Sequence, residues 1–154
     1  MNKIQPEFQF PPLYQLGYVV ADIEKACRHF ESVFKMGPFS PPAEVDMTGA
    51  VFRGKTVETR ILVSFAQHGD VQVEFIQPVS GENPYFEFIS KYGDGIHHIA
   101  FETDDMASVK AHFAEKGIEP IWYQDMGFME FVYFDASEYG GTMVEFIDWR
   151  KSKS

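Results

Sequence analysis

Four polar residues interrupt apolar, strand-like stretches of the chain: Gln15, Glu74, His98 and Glu145. Side chains on a strand alternate between two faces. In Val71–Gln77, the set Val71, Val73 and Phe75 opposes Gln72, Glu74 and Ile76; in Thr142–Asp148, Val144 and Phe146 oppose Met143, Glu145 and Ile147. Leu16 and Tyr18 likewise oppose Gln15, Gly17 and Val19, and Ile99 and Phe101 oppose His98, Ala100 and Glu102. If helices cover the first face each time, the four polar residues share the other, and the small residues Gly17 and Ala100 leave room beside them. Three oxygen donors and one imidazole suit one divalent cation (Zn²⁺, Co²⁺, Ni²⁺, Mn²⁺ or Mg²⁺) with positions open to water or substrate. No thiolate is in the set, which argues against soft-metal chemistry. Taken singly, a Gln or Glu on a strand is an ordinary wet-face residue. His97 falls on the Ile99 face and is expected to pack, while His29, His68 and His112 read as surface residues.

What raises the four above the ordinary is a duplication. The run Gln15-Leu-Gly-Tyr-Val-Val-Ala-Asp22 leads into a helical stretch, Ile23–Met36. At an offset of 83, His98-Ile-Ala-Phe-Glu-Thr-Asp-Asp105 leads into another, Met106–Gly117. The same offset pairs Asp22 with Asp105, each placed to cap a helix N-terminus. The helices bury Ile23, Ala26, Cys27, Phe30 and Phe34, and Met106, Val109 and Phe113, at three-to-four spacing, with Gly37 and Gly117 suited to end them. Val73-Glu-Phe-Ile76 recurs as Val144-Glu-Phe-Ile147. Short strands at Ala43–Met47 and Pro120–Gln124, and further ones at Ile61–Ala66 and Phe131–Ala136, complete two β-α-β-β-β units. The expected fold is α+β: a single domain of two βαβββ modules, about 12–80 and 94–149, with the metal site between them. The connector, 81–93, carries a helical turn at Tyr85–Tyr92.

The bulk properties agree with a single domain of 154 residues. A net charge of −10 disfavours nucleic acid, whose binding needs clustered Lys and Arg, and anionic membrane surfaces. Arg53, Lys55, Arg60 and Lys91 are scattered and read as solvated surface charge. No apolar run approaches the ~20 residues of a membrane span. The first twelve residues lack the apolar core of a signal peptide, and the one cysteine, Cys27, fits a reducing compartment, so a cytoplasmic location is expected.

At the four residues the chain resembles the vicinal oxygen chelate superfamily, which includes glyoxalase I, methylmalonyl-CoA epimerase, extradiol dioxygenases and antibiotic-resistance proteins. The resemblance runs from about Leu13 to Asp148. It implies paired βαβββ modules whose curled mixed sheets enclose a central metal, metal ligands at Gln15, Glu74, His98 and Glu145, and a homodimer. Gly93-Asp-Gly-Ile-His-His-Ile-Ala-Phe101 and Pro78 are similar to epimerases; Val19 and Pro78 stand where glyoxalases that use glutathione carry Arg and Asn. Gln15 points the other way, since epimerases begin with His there and zinc-dependent glyoxalases with Gln. A single His disfavours the two-His iron site of extradiol dioxygenases.

The resemblance implies proton abstraction next to a carbonyl, with Glu145 as ligand and base and Glu58 as second acid/base; as residues alone, Glu58 reads equally as an exposed strand-edge Glu. Phe39, Phe52, Phe65, Trp122, Phe128 and Phe131 are candidates for an apolar pocket. The expected activity is therefore a metal-dependent epimerase or isomerase on a small molecule, an acyl-CoA thioester being one such substrate. The alternatives are a glyoxalase I-type lyase on a thiol adduct, or a non-catalytic small-molecule-binding or resistance protein of the same fold.

Overall fold

The computed structural model describes residues 8–139 and 142–149. Its elements run β1 (Leu13–Val19), α1 (Ile23–Val33), β2 (Ala43–Phe52), β3 (Lys55–His68), β4 (Val71–Gly81), α2 (Pro84–Tyr92), β5 (Gly95–Glu102), α3 (Met106–Glu115), β6 (Trp122–Asp125), β7 (Glu130–Asp135) and β8 (Met143–Asp148). The duplication is real at this level: β1α1β2β3β4 and β5α3β6β7β8 are two βαβββ units, with α2 between them.

The strands close into one barrel in the order β1-β4-β3-β2-β6-β7-β8-β5. In each unit the first strand lies parallel to the last, β1 beside β4 and β5 beside β8. Two antiparallel seams, β1–β5 and β2–β6, join the units. Closure removes the free sheet edges that two curled sheets would otherwise expose.

Alternation then sorts the side chains. Inside the barrel lie Val19, Met47, Ile61, Ile76, Trp122, Phe131, Tyr133 and Ile147 with their neighbours. Outside, Phe75 packs with Ile23 and Cys27 of α1, and Phe146, Val132 and Phe134 pack with Met106, Val109 and Phe113 of α3. Both helices start where expected: Asp22 accepts a hydrogen bond from Lys25 N at 3.1 Å and Asp105 from Ser108 N at 3.1 Å, satisfying otherwise orphaned first-turn amides.

Helix ends differ between the units. Gly117 follows α3 at φ 71, with Ile118 N donating to Phe113 O at 2.9 Å, a glycine-capped end. After α1 the helix stops at Val33, so the left-handed residue that ends it is Lys35 (φ 57), with Gly37 (φ 135) lying two residues further on; Phe34 is exposed. The second strand of the first unit is also longer than expected. A bulge between Thr48 and Ala50, with Gly49 at φ 84, shifts the inward set from Val45 and Met47 to Ala50 and Phe52, which hides the alternation in the sequence.

Candidate active site

Strand register explains how four residues far apart in the chain meet. Two rows cross the neighbouring strands β4, β1, β5 and β8. In one row, Gly17 is paired with Glu74 on one side and His98 on the other. In the next, Ala100 is paired with Gln15 on one side and Glu145 on the other. Each row thus has a small residue flanked by two donors, and the donors lean inward over it.

They converge on a single atom. His98 Nε2 lies 3.1 Å from Gln15 Oε1, 3.2 Å from Glu74 Oε1 and 3.2 Å from Glu145 Oε2. All four residues are buried. Gln15 Nε2 donates to Gln72 Oε1 at 2.7 Å, which turns the Gln15 carbonyl oxygen toward the centre.

His98 is oriented from behind as well. Across the β1–β5 seam the register skips from Gly17↔His98 to Tyr18↔Ile96, so His97 is the extra residue of a bulge. The bulge overturns the expectation that His97 lies on the Ile99 face: both histidines turn into the barrel. His97 is buried among Tyr85, Phe88 and Tyr133, and its Nδ1 sits 3.1 Å from His98 Nδ1. Deeper still, the hydroxyls of Tyr85 and Tyr133 are hydrogen-bonded at 2.8 Å.

The electrostatics are those of a site short of positive charge. One imidazole nitrogen carries at most one hydrogen, so at most one of the three oxygens around Nε2 receives it. Glu145 Oε2 is buried without a hydrogen-bond donor. Burial pushes Glu74 up to about 8; burial and then the Glu74 charge push Glu145 up too, and burial holds His98 down near 3. The pair of carboxyls shares its protons as a unit.

Donors in mutual contact do not frame an open cage, and as they stand no group of three or more His, Cys, Asp or Glu among the described residues is placed to hold a metal ion. The spacing nevertheless suits an ion. Ligands of a six-coordinate ion at about 2.1 Å stand roughly 3.0 Å apart, and of a four-coordinate ion about 3.3 Å. Two carboxylates, an amide oxygen and a neutral imidazole also sum to the charge that balances a divalent cation. The donor set fits such an ion.

Beside the four donors opens a cavity of about 310 Å³. Its polar lining is Tyr14, Gln15, Gln72, Glu74, Tyr85, Tyr133 and Glu145; the rest is Val, Ile, Met, Phe and Trp149. Of the aromatic candidates, Phe65, Phe128 and Phe131 line it. Phe52 and Trp122 are barrel core, and Phe39 stacks on Phe75 outside, beneath α1. Glu58 is not brought to the site: it is exposed on β3, on the face opposite the inward set Val57, Thr59 and Ile61. Gln72, Tyr85 and Tyr133 were not anticipated. Gln72 shares the Glu74 face two residues away, the one signal that could have pointed to it.

Comparison with known proteins agrees with this architecture. The Glyoxalase/Bleomycin resistance protein/Dioxygenase superfamily profile matches residues 14–133. The chain belongs to this superfamily. Uncharacterized protein YqjC of Bacillus subtilis (strain 168) is 32% identical over 140 residues, covering 88% of this chain and 91% of that protein. Among solved structures, hypothetical protein BH1468 from Bacillus halodurans C-125 superposes with a TM-score of 0.67 at 21% identity, covering 89% of this chain and 93% of that one. Methylmalonyl-CoA epimerase from Mycobacterium tuberculosis gives 0.65 at 16%, covering 88% and 86%. A variant of Streptomyces coelicolor methylmalonyl-CoA epimerase in complex with 2-nitronate-propionyl-CoA gives 0.68 at 15%, covering 92% and 96%. At these identities the structural likenesses establish the glyoxalase-superfamily fold. No helix among the described residues is long and apolar enough to cross a membrane.

Proposed function

We propose that this superfamily member is a metal-dependent isomerase or epimerase that removes a proton next to a carbonyl, with an acyl thioester as substrate. Gln15, Glu74, His98 and Glu145 hold one divalent ion. The observation that carries the reading is the convergence of these four donors, from corresponding strands of the two units, beside an apolar cavity that Gln15, Glu74 and Glu145 line. The epimerase neighbours, one of them bound to an acyl-CoA analogue, support the choice of substrate.

A divalent ion bound at these donors supplies the positive charge that polarises a carbonyl and lowers the barrier to an enolate by several kcal/mol. The protein does the rest. The cavity's apolar walls receive the acyl group and present its α-carbon to the carboxylates. Glu145 takes the α-proton; its burial, which raises its proton affinity, makes it a stronger base than an exposed carboxylate. Glu74 is the second carboxylate of the cavity and the candidate to return a proton, a role that outward-facing Glu58 has no route to perform. Gln72 and His97 hold Gln15 and His98 in register.

The test is exchange of the substrate α-proton with D₂O, followed by NMR, on metal-loaded and chelator-stripped protein. Exchange that needs the ion and falls in Glu145→Gln supports the reading. Exchange by no acyl thioester, or exchange indifferent to the ion, overturns it. A lyase on a thiol adduct is the second reading, favoured by Gln15 and by two carboxylates within one site; it predicts turnover of a hemithioacetal where simple acyl thioesters stay inert.

A further inference from the structure

We infer that the part of the substrate entering the cavity is uncharged and apolar, an α-branched alkyl or aryl acyl group, and that it bears no carboxylate. This inference rests on the proposed function and narrows it.

Charge balance is the first ground. Glu74 and Glu145 already neutralise a divalent ion, while Gln15 and a neutral His98 add nothing. A carboxylate on the substrate's reacting carbon would leave one net negative charge against a mostly apolar lining. Charges buried without a partner are heavily penalised.

The second ground is that the lining holds no cation to offset such a charge. No Lys or Arg lines the cavity. Arg28, Arg53, Lys55, Arg60 and Lys110 lie outside it, paired with Glu24, Glu87, Glu82, Asp46 and Glu130. The cavity's protic groups are neutral: Tyr85 and Tyr133 are hydrogen-bonded to each other, one Gln15 N–H is given to Gln72, and Tyr14 and the Gln72 amide complete the polar side chains with the two carboxyls. A neutral donor offsets a full negative charge less than a cation does.

The third ground is shape. Ile61, Val63 and Phe65 of β3 and Met126, Phe128 and Met129 of the β6–β7 loop all line the cavity. Met126 N donates to Met129 O at 2.8 Å, closing that loop into a turn that presents its apolar side chains. Methionine adapts to irregular apolar shapes. At about 310 Å³ the cavity accommodates roughly 10–15 non-hydrogen atoms. Each methylene it buries is worth about fourfold in affinity.

The test uses three thioesters on one carrier, N-acetylcysteamine: 2-methylbutanoyl, 2-phenylpropanoyl and methylmalonyl. Binding is read by quenching of tryptophan fluorescence, Trp149 being in the lining, with and without a saturating divalent ion. α-Proton exchange in D₂O is read in parallel and divided by each compound's buffer-catalysed rate. The two neutral acyl groups should bind at least tenfold more tightly than methylmalonyl, with the same order in normalised exchange. A smaller or reversed binding ratio, or no binding of either neutral compound, overturns the inference. Failure of the proposed function looks different: no compound exchanges, while the binding ratio still decides the substrate class. Met129→Arg, which puts a cation into the wall, should move the ratio toward methylmalonyl.

Discussion

The imidazole of His98 rests on the Cα of Gly17: a Cβ at residue 17 would stand 2.0 Å from His98 Cε1 and 2.1 Å from Nε2. Such a contact obliges something to move, and the ring is the mobile partner. Gly17→Ala should therefore fold, at a cost of about 1–3 kcal/mol for overpacking, and bind a divalent ion at least tenfold more weakly. Titration with a fluorescent zinc competitor measures this. Unchanged affinity would mean that His98 is not a ligand in its observed place.

Replacing a buried acid by its amide separates function from stability. Glu145→Gln should lower α-proton exchange by about 10²–10⁴-fold, the range for loss of a general base. The same variant in metal-free form should melt higher than the parent at pH 8, because an acid that is ionised in the unfolded chain and disfavoured as a charge inside the barrel has been removed. Glu58→Gln should leave exchange untouched and shift stability by less than about 0.5 kcal/mol, as expected of an exposed side chain.

The pH response of the metal-free protein follows from the same groups. An unfolded Glu loses its proton near 4.3, whereas folded Glu74 keeps it up to about 8, and Glu145 is raised as well. Their contribution to stability is full below about pH 4 and declines as pH rises above it, that of Glu74 being lost through about 8. His98, held near 3, acts in the opposite sense: stability falls as pH drops below its unfolded value of about 6.5. Two acids outweigh one imidazole up to about 6.5 and act alone above it. Urea midpoints of chelator-treated protein should therefore fall between pH 5.5 and 8.5 relative to a Glu74→Gln, Glu145→Gln double variant. A divalent ion should reverse the trend, since its ligands must shed protons to bind it. A parent protein that tracks the double variant would refute this.

Residues behind the donors should matter through the ion alone. Gln72→Leu frees the Gln15 amide, and His97→Phe removes the partner of His98 Nδ1. Loss of such supporting contacts costs about 10–100-fold in metal affinity. His97→Asn, which returns an acceptor, should restore part of it. Calorimetric titration with Zn²⁺ distinguishes the variants, and equal losses in the Phe and Asn variants would show that His97 only fills space.

Much of this was legible before the structure because duplication converts weak signals into paired ones. Gln15 and His98 occupy corresponding places on opening strands, Glu74 and Glu145 on closing strands, and Asp22 and Asp105 cap corresponding helices. Strand alternation then put the four donors on one face. Where a strand departs from regular pleat, alternation misleads. The bulge at His97 turned a residue expected outside into the barrel, and the bulge near Gly49 concealed the second half of β2. Glu58 was assigned a role from resemblance, and its position on the outward face of β3 withdraws the support. Gln72, Tyr85 and Tyr133 act through tertiary hydrogen bonds that no local pattern encodes.

The seam between β1 and β5 has a consequence for how the molecule is assembled. Gln15 and Glu74 come from one side of it, His98 and Glu145 from the other. Either half alone offers two donors, too few for a tight site, and lines only part of the chamber. An ion held by all four is thus a fastener between halves, and its uptake reports that they have come together correctly. A chain severed between Gly81 and Gly95 should yield fragments that recombine more tightly with the ion than without it.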